Sequence, residues 1–465
     1  MLLDRRVNLR FVALVLLACA AIYAFQTRRP FRDNSPDKDD YSSILPGKDS
    51  TGFRQPWSTP IQHPVVDYVD HLANYVPKDD KYRIVYSQST IDRKYFTVDF
   101  AGVNTYNVNI IPHPAKKNKW IVVAQHGEYR DDINASEQIA CVAEFSNGVL
   151  HCSRAPAALP ITPSILGKCD GKWAYANMRR GPRDARVFYG PEQPYIMYGS
   201  QSLKACLGLW VQNLWMLLDG AKHPEEGFAR AVMEIQRPEP FDQIQKNYFL
   251  FWDNSSEIHV HYDIYPQRAY SPLQYDGSVV STIWGSKGLN VAEFAADKDQ
   301  ICIDRLYPKV DVKKDEGLHQ GTNSLAITMC KRSDPICVET DDNTFILHIM
   351  QHKQFYDWHG IYEPYPVLFR RRTPFELYAV AQKPLWYHGR DELNNKTNWR
   401  NFQERSVPEG HTQMFYTTSI SWKNVKQTYH GYVDDVLFIG FGVEDTQAGA
   451  IDVLASDILQ DLGFC

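Results

Sequence analysis

The sequence lacks a charge excess of either sign: 50 Lys and Arg residues nearly balance 55 Asp and Glu residues, giving a formal net charge of −5 over 465 residues. Proteins that bind nucleic acid normally carry a clustered basic face, so we expect no nucleic-acid partner. The mean hydropathy of −0.41 excludes a protein with many membrane spans. The composition also excludes collagen, coiled-coil and wholly disordered chains.

The motifs of several common enzyme classes are missing as well. No segment has the order strand, G-x-G-x-x-G, helix, so a dinucleotide or P-loop phosphate site has no support. G-x-S-x-G and H-E-x-x-H do not occur, which argues against serine and zinc hydrolases. No C-x-x-C is present, and structural zinc is therefore not expected.

One long apolar run is present, at Phe11–Phe25, with arginines on both sides. We predict a cytosolic tip (1–10), a transmembrane signal-anchor (11–25), a flexible polar stem (26–64) and a lumenal body (65–465). A cleaved signal peptide is the alternative, since Ala18-Cys19-Ala20 resembles a cleavage site. This plan is typical of single-pass type II enzymes of the Golgi membrane.

Cysteines and glycosylation motifs agree with a lumenal body. Cys19 lies in the apolar run, which leaves eight cysteines for the body. Sequence proximity makes two pairs plausible, Cys141–Cys152 and Cys330–Cys337; the other pairings stay open. The N-glycosylation sequons begin at Asn134, Asn254 and Asn395.

The body consists mainly of short runs with alternating or aromatic character, bounded by Gly, Pro, Asn or Asp. Trp120–Gln125, Tyr248–Trp252, Thr344–Gln351 and Val436–Gly442 are examples. Glu225–Ile235 is the best internal helix candidate. We therefore predict an all-β fold, with a five-bladed β-propeller as first choice and two stacked β-sandwich domains as the alternative.

The strongest chemistry-bearing segment is Gly181-Pro182-Arg183-Asp184-Ala185-Arg186, directly before a predicted strand. Two arginines beside one carboxylate keep it ionised and oriented, as suits a group that contacts sugar hydroxyls or developing positive charge. The alternative is an ordinary salt bridge at the start of a strand.

This segment resembles the Gly-x-Glu-Asp-Pro-Arg signature of five-bladed β-propeller enzymes that act on glycosides. Those include mannoside phosphorylases, invertase-type and arabinanase-type hydrolases, and the related yeast β-mannosyltransferases. Arg183 stands where that signature has Glu, and Ala185 where it has Pro. Weaker similarities follow in the same order, at Lys246–Phe251 and at His319–Asn323.

The resemblance implies that polar residues at the strand starts converge on a central funnel. Asp184, Asp253 and Glu444 are the candidate catalytic carboxylates, although Asp253 adjoins the Asn254 sequon. Trp252, Trp358 and Tyr429 are candidate sugar-stacking platforms. The candidate substrate-binding residues are Arg183, Arg186, His126, Glu128, Arg130, His319, His352, His359, Tyr429, His430 and Asp434.

Three functions remain open from the sequence. The first is a lumenal glycosyltransferase that transfers a hexose, such as mannose from GDP-mannose, to a cell-wall or glycoprotein glycan. The second is a glycoside hydrolase or phosphorylase on the same propeller, and the third is a non-catalytic glycan-binding protein. The transferase admits Mn²⁺ or Mg²⁺ with its nucleotide-sugar donor. No metal ligand is assigned, because Asp297-Lys298-Asp299 is expected to lie in a solvated turn.

Overall fold

The computed structural model describes residues 80–130, 133–164, 166–237, 242–278, 291–356, 359–392 and 411–465. The predicted tip, anchor and stem, together with Trp358 and Asn395, lie outside these ranges. Among the described residues, no helix is long and apolar enough to cross a membrane.

Strands dominate the described ranges, so the prediction of a mostly β body is confirmed. Helices are few: α1 (Val291–Leu306), α2 (Ala455–Ile458) and 3₁₀ turns at Gly171–Met178, Leu214–Met216 and Val312–Lys314. The strands are β1 (Arg83–Val85), β2 (Phe96–Asp99), β3 (Tyr106–Pro112), β4 (Trp120–Arg130), β5 (Ile133–Ser146), β6 (Val149–Cys152), β7 (Ala157–Ala158), β8 (Arg179–Arg180), β9 (Arg183–Tyr189), β10 (Pro194–Gln201), β11 (Leu207–Asn213), β12 (Met233–Glu234), β13 (Phe249–Trp252), β14 (Ile258–Asp263), β15 (Ala269–Pro272), β16 (Gly317–Gln320), β17 (Leu325–Thr328), β18 (Thr344–Tyr356), β19 (His359–Arg370), β20 (Leu377–Ala381), β21 (Leu385–Tyr387), β22 (Phe415–Trp422), β23 (His430–Tyr432), β24 (Val436–Val443), β25 (Gln447–Leu454) and β26 (Leu462–Phe464).

Most of these strands form antiparallel groups in which neighbours along the chain pair with each other. The groups have the orders β3-β4-β5-β6, β9-β10-β11-β12, β13-β14-β15, β17-β18-β19-β20 and β22-β24-β25. β2 joins the last group to the first, because it pairs antiparallel with β25 and parallel with β6. The amino-terminal end of the described body is therefore hydrogen-bonded to its carboxyl-terminal sheet.

The first strands of the groups, which we call the inner strands, are β3, β9, β13, β17 and β22. Buried polar side chains connect each inner strand to another strand group by hydrogen bonds to backbone atoms of that group. These bonds satisfy buried N–H and C=O groups that are not paired between neighbouring strands. These bonds are Asn109 Nδ2 to Ala185 O (3.0 Å), Val187 N to Asn109 Oδ1 (2.9 Å), Ser324 Oγ to Leu250 O (2.7 Å), Asn323 Nδ2 to Ile420 O (2.9 Å) and Thr418 Oγ1 to Val108 O (2.9 Å).

The close approach of β24 to β3 depends on glycine. A Cβ atom on Gly440 would lie 2.4 Å from Val108 O, and one on Gly442 would lie 2.3 Å from Asn107 Oδ1. No real side chain tolerates such distances, so β24 packs on β3 only because these positions carry no side chain.

Every cysteine of the body is paired. The predicted disulfides Cys141–Cys152 and Cys330–Cys337 are confirmed. The remaining pairs, which the sequence left open, are Cys169–Cys206 and Cys302–Cys465. Disulfides are typical of oxidising compartments, so the body belongs outside the cytosol or in a lumen.

Two local predictions are wrong. Glu225–Ile235 is not a helix, because Gly227 and Ala229 have φ angles of 131° and 56°, which a right-handed helix cannot contain. The segment around Asp299 is not a solvated turn: it lies in α1, where Asp299 is buried and bonds Arg268 at 2.6 Å. The pairing with a distant arginine, which no local pattern reveals, makes this burial possible.

Candidate functional site

The inner strands begin with a repeated local conformation. Asn107, Asp184 and Asn247 each have a positive φ, at 55°, 48° and 63°. Asn and Asp tolerate the left-handed region better than other residues that carry a side chain. Left-handed residues other than glycine are uncommon, and they concentrate at functional sites, where the surrounding structure holds the strain.

Asp184 lies at the start of β9 with its carboxylate exposed to solvent. Its backbone N–H donates to Gln125 Oε1 at 2.7 Å, and Asn107 Nδ2 donates to Asp184 Oδ1 at 3.3 Å. Gln125 Nε2 in turn donates to the hydroxyl of Tyr106 at 2.7 Å. The first strand group thus fixes both the backbone and the side chain of Asp184.

Arg186 holds the backbone of Asp184. Its guanidinium is buried, and it donates to Gly321 O through Nε (3.2 Å) and Nη2 (3.0 Å), and to the Tyr416 hydroxyl (3.2 Å). Nη1 donates to the backbone carbonyl of Asp184. The bonds of Arg186 therefore orient the peptide of Asp184 rather than its carboxylate. Arg183 is half-buried, and its charge acts on Tyr106.

Lys246 brings a positive charge to this carboxylate. Desolvation by the surrounding protein lowers the pKa of Lys246, and the cations Lys353, Arg179 and Arg186 lower it further, while Asp184 opposes the shift. Because the Lys246 side chain is exposed to solvent and yet desolvated, it lies in a concave part of the surface.

His319 faces the same basic group. Burial lowers the pKa of His319 to about 4, and the charges of Lys246 and Lys353 act in the same direction, against Asp315. The imidazole is therefore neutral at physiological pH. It can donate a hydrogen bond from one ring nitrogen and accept one at the other.

Three tyrosines complete the group. Burial is the main cause that raises the pKa values of Tyr106, Tyr362 and Tyr416, and the charges of Asp184 and Asp445 add to each rise. The rings of Tyr362 and Tyr416 pack edge to face, with centroids 5.0 Å apart. All three hydroxyls stay protonated and can donate hydrogen bonds. The polar cluster, as we name it, consists of Asp184, Lys246, His319, Tyr106, Tyr362, Tyr416 and Asp445.

Asp445, not Glu444, brings a second carboxylate to the polar cluster. Both residues have positive φ angles, 55° for Glu444 and 50° for Asp445, but only Asp445 is exposed. Glu444 is buried: Oε1 accepts from Met414 N at 2.6 Å, and Oε2 lies 3.0 Å from His359 Nε2. His359 Nδ1 lies 2.6 Å from His411 Nε2. Glu444 and His359, two predicted site residues, therefore lie together in a buried network beside the polar cluster.

Another set of predicted residues lies at the far ends of the inner strands. Asp253 follows β13, about 20 Å along the chain from Asn247 at 3.3 Å per residue. Its Oδ1 accepts from the N–H groups of Ser255 and Glu257, and its Oδ2 lies 3.2 Å from His259 Nε2. The structure therefore places Asp253 in a turn and does not bring it to Asp184.

Tyr429, His430 and Asp434 also lie at that end. The hydroxyl of Tyr429 is buried 2.9 Å from Ser324 Oγ, and its ring packs on Trp252 in the core. His430 Nε2 lies 2.8 Å from Thr328 Oγ1, at the last residue of β17. Asp434 accepts bonds from the loop that carries Ser333.

The remaining predicted residues have mixed positions. His352 points to the face of β18 opposite His319 and lies 3.4 Å from Glu316 Oε2. His126 Nδ1 lies 2.9 Å from Asn104 O, and His126 lines a cavity of 470 Å³ with Glu137 and Pro182. Glu128 and Arg130 belong to β4, and Asn134 to β5, but their side chains lie outside those described. The Asn254 amide donates to Asp341 at 2.9 Å.

No metal ligand was predicted from the sequence. Within the described ranges, the group of three carboxylate or histidine side chains close enough for a metal is Asp253, Glu257 and His259, whose ligand atoms lie within 4.8 Å of one another. Asp253 already accepts three contacts there, and the group is remote from Asp184. The polar cluster contains one cation, Lys246, on which the charges of Lys353 and Arg179 also act.

Lys246, Asn247, Tyr362 and Tyr416 were not predicted as site residues. Lys246 and Asn247 fall in the segment that resembles the propeller enzymes, so that resemblance was the available signal. The tyrosines carry no local signal, because their strands read as ordinary alternating strands. Only the assembly of the inner strands brings them to Asp184.

No family model matches the chain, and no curated protein matches it significantly. Solved structures do match. A β-1,2-mannobiose phosphorylase from Listeria innocua is 10% identical with a TM-score of 0.38, and the match covers 84% of this chain and 98% of that one. A GDP-Man-dependent mannosyltransferase from Leishmania mexicana is 9% identical with a TM-score of 0.35, over 77% and 89% of the two chains. The Coprinopsis cinerea GH62 α-L-arabinofuranosidase is 8% identical with a TM-score of 0.37, over 77% and 96%. Scores this low carry no argument about activity.

Proposed function

We propose that the protein is a glycosyltransferase whose site is the polar cluster at the axis of a five-bladed β-propeller. The observation that carries the proposal is that the charge of Asp184, at the start of β9, acts on Lys246 and on three tyrosines from separate strand groups. The charge of Lys246 in turn acts on His319 in β16. A lone structural salt bridge would not need an exposed carboxylate, an exposed desolvated lysine and a neutral histidine in one concavity.

The strand pattern supports the propeller. Five strand groups each begin with an inner strand, and the inner strands are cross-bonded to neighbouring groups. β2 pairs with β25 of the last group, and the chain then continues into β3, the first strand of the first group. This closure protects the sheet edges. Two separate sandwich domains would not need Arg186 of the second group to bond Gly321 of the fourth.

The charges favour a phosphate-bearing sugar donor over a neutral glycoside. The charges of Asp184, Lys353 and Arg179 all act on Lys246. Cations close to a transferring group stabilise a departing diphosphate. The tyrosine hydroxyls and the neutral His319 supply hydrogen-bond donors for sugar or phosphate oxygens. Mannose from GDP-mannose is the donor that the sequence resemblance suggests.

In this reaction Asp184 acts as the general base. The acceptor hydroxyl oxygen attacks the anomeric carbon and its proton passes to the Asp184 carboxylate. The bond between the anomeric carbon and the phosphate oxygen breaks, and the electron pair leaves on the diphosphate. Lys246 and Lys353 balance the charge that develops on that leaving group.

The compartment follows from the same proposal. Disulfides and sequons suit a lumenal body, and the apolar run at 11–25 would anchor it in the Golgi membrane as a type II protein. The acceptor is then a cell-wall or glycoprotein glycan that passes through the same lumen.

Asp445 supports a second candidate, a hydrolase or phosphorylase. Hydrolysis uses two carboxylates that flank the scissile bond, and Asp184 and Asp445 both act on the same three tyrosines. Phosphorolysis would use the cations around Lys246 to bind inorganic phosphate as the attacking group.

The test compares the full chain with its Asp184→Asn and Asp253→Asn variants, each incubated with GDP-mannose, other nucleotide sugars or inorganic phosphate, plus mannose oligosaccharides. Mass spectrometry then reads the products. A gain of one hexose, lost in Asp184→Asn and kept in Asp253→Asn, supports the transferase. Shortened oligosaccharides or a sugar phosphate would replace it with the second candidate. No product from any donor, by a folded protein, refutes both.

A further inference from the structure

Gln320, at the end of β16, is a buried amide with an unusually full set of backbone partners. Its Nε2 donates to Tyr262 O at 2.6 Å, to Asn247 O at 2.8 Å and to His261 O at 3.3 Å. Its Oε1 lies 2.6 Å from His261 Nδ1. The side chain is only 4% exposed, so water does not compete for these bonds.

The direction of each bond in this group is set by chemistry. Arg268 Nε lies 3.1 Å from His261 Nε2, and a guanidinium can only donate, so His261 Nε2 accepts. The proton of the neutral imidazole is therefore on Nδ1, which donates to Gln320 Oε1. Burial and the Arg268 charge keep the pKa of His261 low, so this tautomer persists. Asp299 holds Arg268 at 2.6 Å, with both side chains buried.

One end of this bond chain is the left-handed residue beside Lys246. Asn247 has a φ of 63°, and Gln320 bonds its carbonyl oxygen. The Asn247 side chain accepts from the Tyr416 hydroxyl at 3.4 Å. A residue other than glycine leaves the left-handed φ/ψ region unless the surrounding structure holds it there. Gln320 and Tyr416 are the groups that hold it from either side.

The neighbours of Gln320 in sequence act on the other half of the polar cluster. His319 belongs to the cluster, and Gly321 O accepts two bonds from Arg186. Arg186 bonds the carbonyl of Asp184. The tripeptide 319–321 is thus connected to the backbone on which Asp184 stands and to the backbone on which Lys246 stands.

We propose that Gln320 is a positioning residue that sets the placement of Lys246 relative to Asp184. It does not touch substrate. Its effect passes through the carbonyl of Asn247 to the neighbouring lysine. The catalytic consequence rests on the proposed function, but the placement of Lys246 does not, and the two can be measured separately.

The first experiment measures the lysine alone. The full chain is labelled with a trace of acetic anhydride from about pH 7 to about pH 11, a range that spans the ordinary pKa of lysine, and the Lys246 peptide is quantified by mass spectrometry. In Gln320→Ala we expect the midpoint of Lys246 labelling to rise towards that of an ordinary lysine, since the side chain leaves the concavity. An unchanged midpoint in a folded Gln320→Ala protein overturns the proposal.

Asn323→Ala is the matched control. Asn323 is also a fully buried amide, and it bonds both the N–H and the carbonyl of Ile420, so its loss destabilises the inner strands similarly. Within the described residues, the Asn323 side chain bonds Ser324 and Ile420, and neither Lys246 nor Asn247. We expect its Lys246 profile to match the wild type. An equal shift in both variants would mean that Gln320 is merely structural.

Gln320→Glu provides the second test, and it replaces the first if Gln320→Ala does not fold. An ionised Glu accepts from His261 but repels the carbonyls of Asn247 and Tyr262, whereas a protonated Glu can donate to one of them. If hexose transfer occurs, kcat of this variant should recover towards the wild type as the pH falls, with KM for the acceptor little changed. A pH profile parallel to that of the wild type counts against positioning. Absence of transfer in every variant, with a shifted Lys246 midpoint, refutes the function and keeps the positioning role.

Discussion

The Arg186 guanidinium donates twice to the carbonyl oxygen of Gly321, through Nε at 3.2 Å and Nη2 at 3.0 Å. This contact joins the second strand group to the fourth through a side chain that is 4% exposed. The same guanidinium bonds the backbone of Asp184. A single buried cation thus couples the packing of two strand groups to the position of the candidate base.

Arg186→Lys should therefore be far from conservative. Lysine has one nitrogen and cannot reproduce a planar fork that serves Gly321, Tyr416 and Asp184 together. Because a misplacement of about 1 Å costs on the order of 100-fold in rate, we expect turnover to fall by that order. Steady-state transfer assays with thermal unfolding check it. Full activity in a destabilised protein would show that Arg186 serves packing alone.

Candidate carboxylates lie at both ends of the inner strands, and single substitutions can show which end carries the activity. Asp445→Asn removes a charge from the polar cluster, and we expect a loss of about 10-fold or more in turnover. Asp253→Asn removes a turn cap at the far end and should leave turnover within about twofold, while lowering stability by about 1 kcal/mol. Transfer assays and urea unfolding of both variants are the measurement. The reverse ranking would move the site to the far end.

His319 makes the free energy of unfolding decrease as the pH falls. Its pKa is lowered to about 4 in the folded protein, so the unfolded chain takes up a proton as the pH falls below about 6.5, and the folded protein does not. Stability from this source is complete above that pH and is lost between it and pH 4, by up to about 2 kcal/mol at pH 5. Urea unfolding across this range should show a shallower pH dependence in His319→Gln. Equal slopes in the wild type and in His319→Gln would contradict this role of His319.

The two disulfides at the carboxyl-terminal side differ in the length of chain they close. Cys302–Cys465 spans a separation of 163 residues and Cys330–Cys337 spans 7. Loop-closure entropy predicts losses of about 5 and about 2 kcal/mol when each pair is replaced by alanine. Denaturant unfolding of the two double variants tests the order. Equal losses would mean that residual structure in the unfolded chain dominates.

Gly442→Ala should disturb the site through β3. Its new Cβ would lie 2.3 Å from Asn107 Oδ1, and Asn107 bonds the Asp184 carboxylate. We expect a loss of about 1–3 kcal/mol in stability together with reduced turnover. Gly148→Ala, where a Cβ meets nothing within 4 Å but φ is 77°, is the control for backbone strain without a contact to the site. Turnover equally reduced by both changes would exclude a specific route through Asn107.

The sequence predicted what depends on neighbours along the chain. Short strands, the Cys141–Cys152 and Cys330–Cys337 disulfides and Asp184 beside β9 were all visible in local patterns. Asp299 was not, because its burial depends on Arg268 in another element. Glu444 and Asp445 show the same limit: adjacent acids look equivalent in sequence. Only the contacts with His359 and Met414 place Glu444 in a buried network, while Asp445 lies at the surface.

Only some members of the polar cluster could be predicted from the sequence, because the cluster also depends on contacts between distant parts of the chain. Its members lie far apart along the chain, in or next to different strands, and meet only when the strand groups assemble. The resemblance of Lys246–Phe251 to the propeller enzymes was the signal for Lys246, and its charge alone does not distinguish it from other surface charges. The importance of the cluster members comes from the surrounding protein, which is assembled only when the chain folds and cannot be seen in the sequence.

The pairing of β2 with β25 has a consequence for synthesis in the cell. β25 follows the first four strand groups along the chain, so β2 lacks this partner while those groups are being made. Completion of the body therefore waits for the last strand group, and non-local pairings of this kind fold slowly. A nascent chain truncated before β25 would leave the edge of β2 open, which makes such fragments natural clients of lumenal chaperones and of quality control.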